Sequence, residues 1–260
     1  MKNIIILGAN EGIGYWLAKQ LLEDGHNVGI LDICIDNLYD LKQQYKDQLL
    51  VMKCNAKVEE EIEMAIESFV KKYNRIDVAI HNACKCTFEP MENTTEEVYH
   101  EVFDVNYFGA LRLTRSVVRH MKSTGGKVIF TSSGVGVMGF TKISPYASTK
   151  GAIESFAKCM NIEYWKNNIS FHIFHPPLTN THSASPLPVP KEFMAEPEKV
   201  GRGLAKHINK KSFIICHNFS QQLQIKMTYL IPLQLGRLMS KMTDAYEQDL
   251  AKNKSNENIP

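Results

Sequence analysis

Apolar residues gather in seven short runs along the chain, at positions 4–7, 28–31, 49–52, 76–80, 128–130, 169–174 and 213–216. These runs are nearly continuous and do not alternate with polar residues, as expected of strands buried on both faces. Between them lie amphipathic stretches such as 12–23, 58–72 and 96–121, each long enough for a crossover helix. Strands alternating with helices predict an α/β fold, a parallel sheet of about seven strands covered on both sides.

Two segments break the rhythm. The run 176–197 is rich in Pro and Ser and reads either as a loop that closes over a substrate or as a plain surface connection. After Phe219 the chain carries Leu223, Ile225, Met227, Leu230, Ile231, Leu233, Leu235, Leu238, Met239 and Met242, is broken by Pro232, and turns polar from Thr243. This predicts two short apolar-faced helices. Gln224, Lys226, Gln234 and Arg237 interrupt any span of the ~20 apolar residues that a transmembrane helix needs. Division at 218 follows: 1–218 as one domain with the binding and catalytic parts, and 219–260 as an amphipathic extension with a polar tail.

At 260 residues, with 44% hydrophobic and 22% charged residues, the chain can bury a large core and sits in the ordinary globular range. A net charge of +2 provides no basic field for a nucleic acid. The six cysteines, Cys34, Cys54, Cys84, Cys86, Cys159 and Cys216, include no C-x-x-C pair and read as buried free thiols. His172 and His175 fall on opposite faces of a predicted strand, so no metal site is expected. The apolar run ending at Leu7 is too short for a signal peptide, which points to the cytoplasm.

Candidate chemistry begins at Gly8-Ala-Asn-Glu-Gly12-Ile-Gly14, between the first strand and the first helix. Glycines there let the backbone turn tightly and approach a pyrophosphate, while the helix N-terminus supplies free N–H groups. Asp32 ends the second strand, where a carboxylate can accept both hydroxyls of an adenosine ribose. It would repel a 2′-phosphate, and its neighbours Glu11, Ile33 and Cys34 bring no compensating cation, so NAD is favoured over NADP.

Further along, Tyr146 and Lys150 stand four residues apart near a predicted helix start with an early Pro145. A nearby ammonium lowers the pKa of a phenol, fitting Tyr146 to exchange protons with a substrate oxygen. The same spacing at Tyr15 and Lys19 reads as structural. What distinguishes the later pair is the strand before it, which ends in Ser132-Ser133 at the sheet edge where ligands bind in open α/β folds.

These motifs taken in order, with Cys54-Asn55, Asn82-Ala83, Asn106 and Pro176 through Thr181, resemble those of the short-chain dehydrogenase/reductase family from residue 2 to about 216. The resemblance implies a Rossmann-type doubly wound sheet and a homodimer or homotetramer. Tyr146 would be the acid/base, Lys150 would lower its pKa and hold the nicotinamide ribose, Ser133 rather than Ser132 would orient the reacting oxygen, and Asn106 would hold a relay water. Gly8, Asn10, Glu11, Gly12, Ile13, Gly14, Asp32, Ile33, Asn55, Ala56, Asn82, Ala83, Cys84, Tyr146, Lys150, Pro176, Thr179 and Thr181 would contact the cofactor, Asn55 near the adenine and the two threonines near the carboxamide.

The chain departs from the family pattern at Leu7 for a Thr, Asn55 for an Asp, His81 and Cys84 at the ends of an Asn-Asn-Ala-Gly motif, and Pro177 for a glycine. The last two stand where a glycine would allow close backbone approach. The function expected is NAD(P)-dependent interconversion of a secondary alcohol and a ketone. The alternatives are a nucleotide-binding regulatory or scaffold protein, and a non-redox lyase or epimerase on the same fold. Residues 134–138 suggest an apolar pocket wall. The extension fits a cap on a lipophilic site, a membrane contact through 219–242, a subunit interface or a core-packing helix.

Overall fold

The computed structural model describes residues 1–185 and 187–257, with side chains up to residue 248. Seven parallel strands form one sheet in the order β3-β2-β1-β4-β5-β6-β7: β1 Asn3–Leu7, β2 Asn27–Asp32, β3 Leu49–Lys53, β4 Val78–His81, β5 Gly126–Thr131, β6 Ile169–Phe174 and β7 Ile214–Ile215. The order reverses between β1 and β4, which pair directly with Leu7 opposite His81. Such a reversal leaves a crevice beyond the carboxyl ends of the strands. This is the parallel α/β sheet that the pattern predicts, doubly wound as the family resemblance implies.

Each strand is apolar on both faces because each face is covered. On β1, Ile5 and Leu7 pack on one side with Phe69, Leu113, Phe130 and Ile153, while Ile4 and Ile6 pack on the other with Leu17, Leu21 and Leu204. Helices α3 Glu59–Tyr73, α5 Gly109–Met121 and α7 Ser144–Glu163 cover the first side; α1 Gly12–Glu23 and α8 Pro197–Lys206 cover the second. The remaining helices are α2 Tyr39–Gln44, α4 Glu96–Phe103, α6 Val135–Met138, α9 Phe219–Leu230 and α10 Pro232–Glu257.

Three sequence expectations need correction. The stretch 96–121 is not one regular helix, because a π-helical turn at Asp104–Phe108 separates α4 from α5. Arg112 holds the turn by bonding Asp104 Oδ1 at 2.7 Å and the Asp104 carbonyl at 3.2 Å. The second tail helix is not short, since α10 runs 26 residues, past the polar change at Thr243. Of the six free cysteines only Cys54 and Cys216 are buried, while Cys34 and Cys159 are exposed. The 176–197 loop, as far as it is described, holds two 3-10 turns and a bridge between Thr179 and Ala195.

Candidate active site

A cavity of about 1420 Å³ opens at the carboxyl edge of the sheet, larger than the ~300–1,000 Å³ typical of a single-ligand pocket. Residues after β1, β2, β4, β5 and β6 floor it, and α9 and α10 close one side. Of the catalytic and cofactor-binding residues expected from sequence, all but Gly14 and Asn106 line this cavity. Tyr15 and Lys19 do not, and Lys19 instead lies over the Trp16 ring on α1.

The glycine turn is built for close approach. Gly8 has φ +93°, and a Cβ there would sit 2.3 Å from the Ala83 nitrogen, so only glycine fits between β1 and β4. Gly12, at φ +58°, faces the Thr181 methyl, which brings the segment after β6 across the turn. Asn82 ties this turn to β5, its Nδ2 donating to the Gly8 carbonyl at 2.7 Å and its Oδ1 accepting from Thr131 Oγ1 at 3.0 Å. No acidic residue occupies the first turn of α1 and its N-cap residue, Glu11, makes no side-chain capping bond, so no side chain satisfies the first N–H groups at the cavity.

Asp32 does more than end β2. Its Oδ2 accepts from the Ala9 and Asn10 N–H groups at 2.7 and 2.8 Å, and Oδ1 accepts from Cys34 at 3.1 Å. The carboxylate therefore clasps the glycine loop before it meets any ligand. Asn10 extends the clasp by accepting from the Asn37 N–H at 3.0 Å. Asn55 closes a local turn, its Oδ1 accepting from Lys57 at 3.0 Å. Thr179 Oγ1 bonds the Pro177 carbonyl at 2.8 Å, fixing the bend after β6. Neither Cys84 nor Pro177 is among the non-glycine residues with positive φ, so the backbone runs through both without the strain that a lost glycine would leave. These features, a cradle that a Cβ would fill, an open helix N-terminus and a carboxylate at the β2 end, fit a dinucleotide.

At the other end, Tyr146 and Lys150 share one face of α7, with Lys150 Nζ 5.3 Å from the Tyr146 ring centroid and donating to the Thr131 carbonyl at 2.8 Å. Sequence reasoning expects the ammonium to lower the phenol. In the structure burial dominates: it pushes Tyr146 well above its ordinary value, the neighbouring sulfurs of Cys84 and Cys86 push in the same direction, and a hydrogen bond with Ser133 opposes it. Burial also lowers Lys150. Tyr146 keeps some surface open, but only toward the cavity, so protein and not bulk water surrounds most of the phenol.

The two serines after β5 both border the cavity but differ in what their hydroxyls meet. Ser133 is half-buried, whereas Ser132 is buried and donates to Glu154 Oε1 at 3.0 Å. Asn106 sits in the π turn, fully buried, with its Oδ1 accepting from the Lys85 N–H at 2.7 Å. Its Nδ2 donates to the Lys85 carbonyl at 2.9 Å and to Thr149 Oγ1 at 3.0 Å. Both amide hydrogens are thus committed, and Asn106 acts here as a clamp on the segment after β4. That clamp turns Lys85 toward Glu101, leaving the neighbouring Cys84 and Cys86 on the cavity wall.

Sequence reasoning missed several groups. Cys86 lines the cavity with its thiol pushed up to about 12 by burial. His81 is fully buried, and burial followed by the Lys150 charge lowers it to about 3. Glu154 gives no motif signal, being one acidic residue on a long helix. Tyr229, Met239 and Met242 belong to the extension, whose place over the cavity depends on packing that no local pattern encodes. His172 bonds Ser212 and Ser170, and among the described residues no His/Cys/Asp/Glu cluster suits a metal.

Comparison with known proteins agrees with this geometry. Residues 2–190 match the family model described as short chain dehydrogenase. The chain is 30% identical over 220 residues to the mitochondrial D-beta-hydroxybutyrate dehydrogenase of Mus musculus, covering 80% of this chain but only 63% of that protein. It is also 30% identical over 198 residues to the 5-keto-D-gluconate 5-reductase of Escherichia coli K12, covering 75% of this chain and 78% of the other. A short-chain dehydrogenase structure from Streptomyces avermitilis superposes with a TM-score of 0.77, at 21% identity and 98% coverage of both chains.

Proposed function

The chain belongs to the short-chain dehydrogenase/reductase family, whose members are oxidoreductases using NAD or NADP, and from that premise we propose that it interconverts a secondary alcohol and a ketone. One observation carries the reading: Tyr146, Lys150 and Ser133 meet on the wall of a cavity that also contains the Gly8 cradle and Asp32. A bound nicotinamide would supply or accept the hydride there. Tyr146 would give a proton to the substrate oxygen in reduction and take it back in oxidation. Ser133 would hold that oxygen by a hydrogen bond, and Lys150 would favour the charged phenol, offsetting the burial that now keeps it neutral. Asn106 would fix the backbone beside them. The remaining glycine-turn residues, with Asn55, Ala56, Asn82, Ala83, Pro176, Thr179 and Thr181, would hold the dinucleotide.

The finer proposals follow from lining and charge. Asp32 at the end of β2, followed by exposed Ile33 and by no Arg or Lys through residue 38, supports NAD over NADP. Met138, Phe140, Leu235, Met239 and Met242 surround the polar end of the cavity, which suits a lipophilic substrate with a single reacting oxygen. Residues 1–218 would carry binding and catalysis, and 219–260 would cover the substrate end. Exposed free thiols suit a reducing compartment, the cytoplasm. A surface groove between α5 and α7, lined by Leu111, Val118, Phe156 and Met160, is the face through which a homodimer or homotetramer would pair, and light scattering of the purified chain would show it. A monomer at micromolar concentration would refute that pairing.

The reaction is tested with a panel of secondary alcohols and ketones of increasing chain length, following NADH absorbance. Turnover should rise with apolar length and fall by roughly 10²–10⁴-fold in Tyr146→Phe. A Tyr146→Phe variant that turns over like the parent would overturn the assignment.

A further inference from the structure

Glu154 has no part in the proton chemistry, yet its carboxylate is buried at 4% exposure. It stands one helical turn beyond Lys150 on α7 and reaches three other elements. Oε1 accepts from Ser132 at the end of β5 and lies 2.8 Å from His175 Nε2 at the end of β6, off the line of a straight hydrogen bond. Oε2 accepts from the Tyr229 hydroxyl on α9. Burial alone would raise this carboxyl, but the adjacent His175 ring and hydrogen bonds from Tyr229 and Ser132 outweigh it and hold Glu154 below the usual carboxylate range. Burial and the facing carboxylate push the Tyr229 phenol up, so it remains a donor.

Helix α9 has little else that is directional to hold it. Thr228 Oγ1 bonds back to Ile225 within α9 and Asn218 caps its first turn, so among the described residues Tyr229 makes the one side-chain hydrogen bond from α9 into the body beneath. The apolar footing of α9 falls beside the same serines. A Cβ on Gly134, the residue after Ser133, would meet Ile225 Cδ1 at 3.4 Å and Thr228 Cγ2 at 3.9 Å.

We infer that Tyr229 and Glu154 form a latch that couples the seating of α9 over the cavity to the placement of the Ser132–Ser133 turn. When Tyr229 lets go, the buried Oε2 loses its donor and the carboxylate must shift or take up water. Ser132 is held by the other oxygen of the same group, so it moves too, and Ser133 is its peptide neighbour. Both latch residues are positioning residues, and a substrate that seats α9 would thereby set the group that receives its oxygen.

Hydrogen exchange followed by mass spectrometry tests the coupling without nicotinamide or substrate, so its outcome is independent of the proposed reaction. In Tyr229→Phe, amides of 219–230 and of 131–136 should both exchange at least roughly tenfold faster, while β1 stays protected. Glu154→Gln keeps an acceptor for Tyr229, so it should perturb both segments less, and adding Tyr229→Phe to Glu154→Ala should change little further. Faster exchange confined to 219–230, with 131–136 at the parent rate, would overturn the latch, as would full additivity of the two changes.

Discussion

His81 stands at the end of β4 with both ring nitrogens unpartnered among the described residues, beside Gly109 and within reach of the Lys150 charge. Burial lowers it to about 3, and burial lowers His172 to about 4. An unfolded chain protonates such histidines near ~6.5. Between that value and the folded one, the native state binds fewer protons, so stability falls as pH drops from about 6.5 toward 3. Each residue costs roughly 1.4 kcal/mol per pH unit across that window. His81→Asn should therefore shrink the loss of Tm between pH 7 and pH 5 by roughly 4 °C, read by calorimetry. Equal losses in parent and variant would show that His81 is not the titrating group. At this scale much of the site was legible. Tyr146, Lys150, Ser133 and Asp32 all line the cavity, because chemistry demands particular residue types at particular spacings. Glu154 was not, since nothing local marks an inward-facing polar side chain, and His81 stood out only as a departure from a family motif, with no sign of its burial.

Elements were legible where periodicity is strong and obscure where geometry departs from it by a fraction of a turn. All seven apolar runs became strands, with β4 and β7 shifted or shortened by a residue or two. The π turn at Asp104–Phe108 left no trace in the pattern, because one extra residue in a helical turn barely changes the apolar spacing, yet it places Asn106 on Lys85. A second hidden constraint joins α6 to α7. A Cβ on Gly136 would fall 2.7 Å from Lys150 Cβ and 2.8 Å from the Gly151 nitrogen. Gly136→Ala must push α6 off the helix that carries the ammonium. The variant should fold, with a penalty of about 1–3 kcal/mol, and lose at least roughly tenfold in turnover. Parent-level turnover in a folded Gly136→Ala protein would show that Lys150 tolerates the shift.

For the molecule as a whole, the alternation of strands and helices sufficed to anticipate a parallel sheet and its open carboxyl edge. The place of the extension was not legible, because it follows from contacts between distant segments such as Gly236 of α10 against the Met138 and Gly139 carbonyls. Away from the cavity it leaves Phe219, Leu223, Leu230, Leu233 and Leu238 exposed. Residues 219–243 also contain Lys226, Arg237 and Lys241 and no acidic residue. That combination supports contact with an anionic membrane surface, although no helix among the described residues is long and apolar enough to cross one. The chain should float with vesicles containing phosphatidylserine, less so at high salt, and a chain ending at residue 218 should not. Absence of flotation with anionic vesicles at low salt would rule the contact out.

Titration with NADH and NADPH, following nicotinamide fluorescence, probes the dinucleotide site that shares one cavity with the proton-transfer group. Saturable NADH binding, at least roughly tenfold tighter than NADPH binding because Asp32 repels the 2′-phosphate, is the result expected. Binding of neither nucleotide would contradict the account.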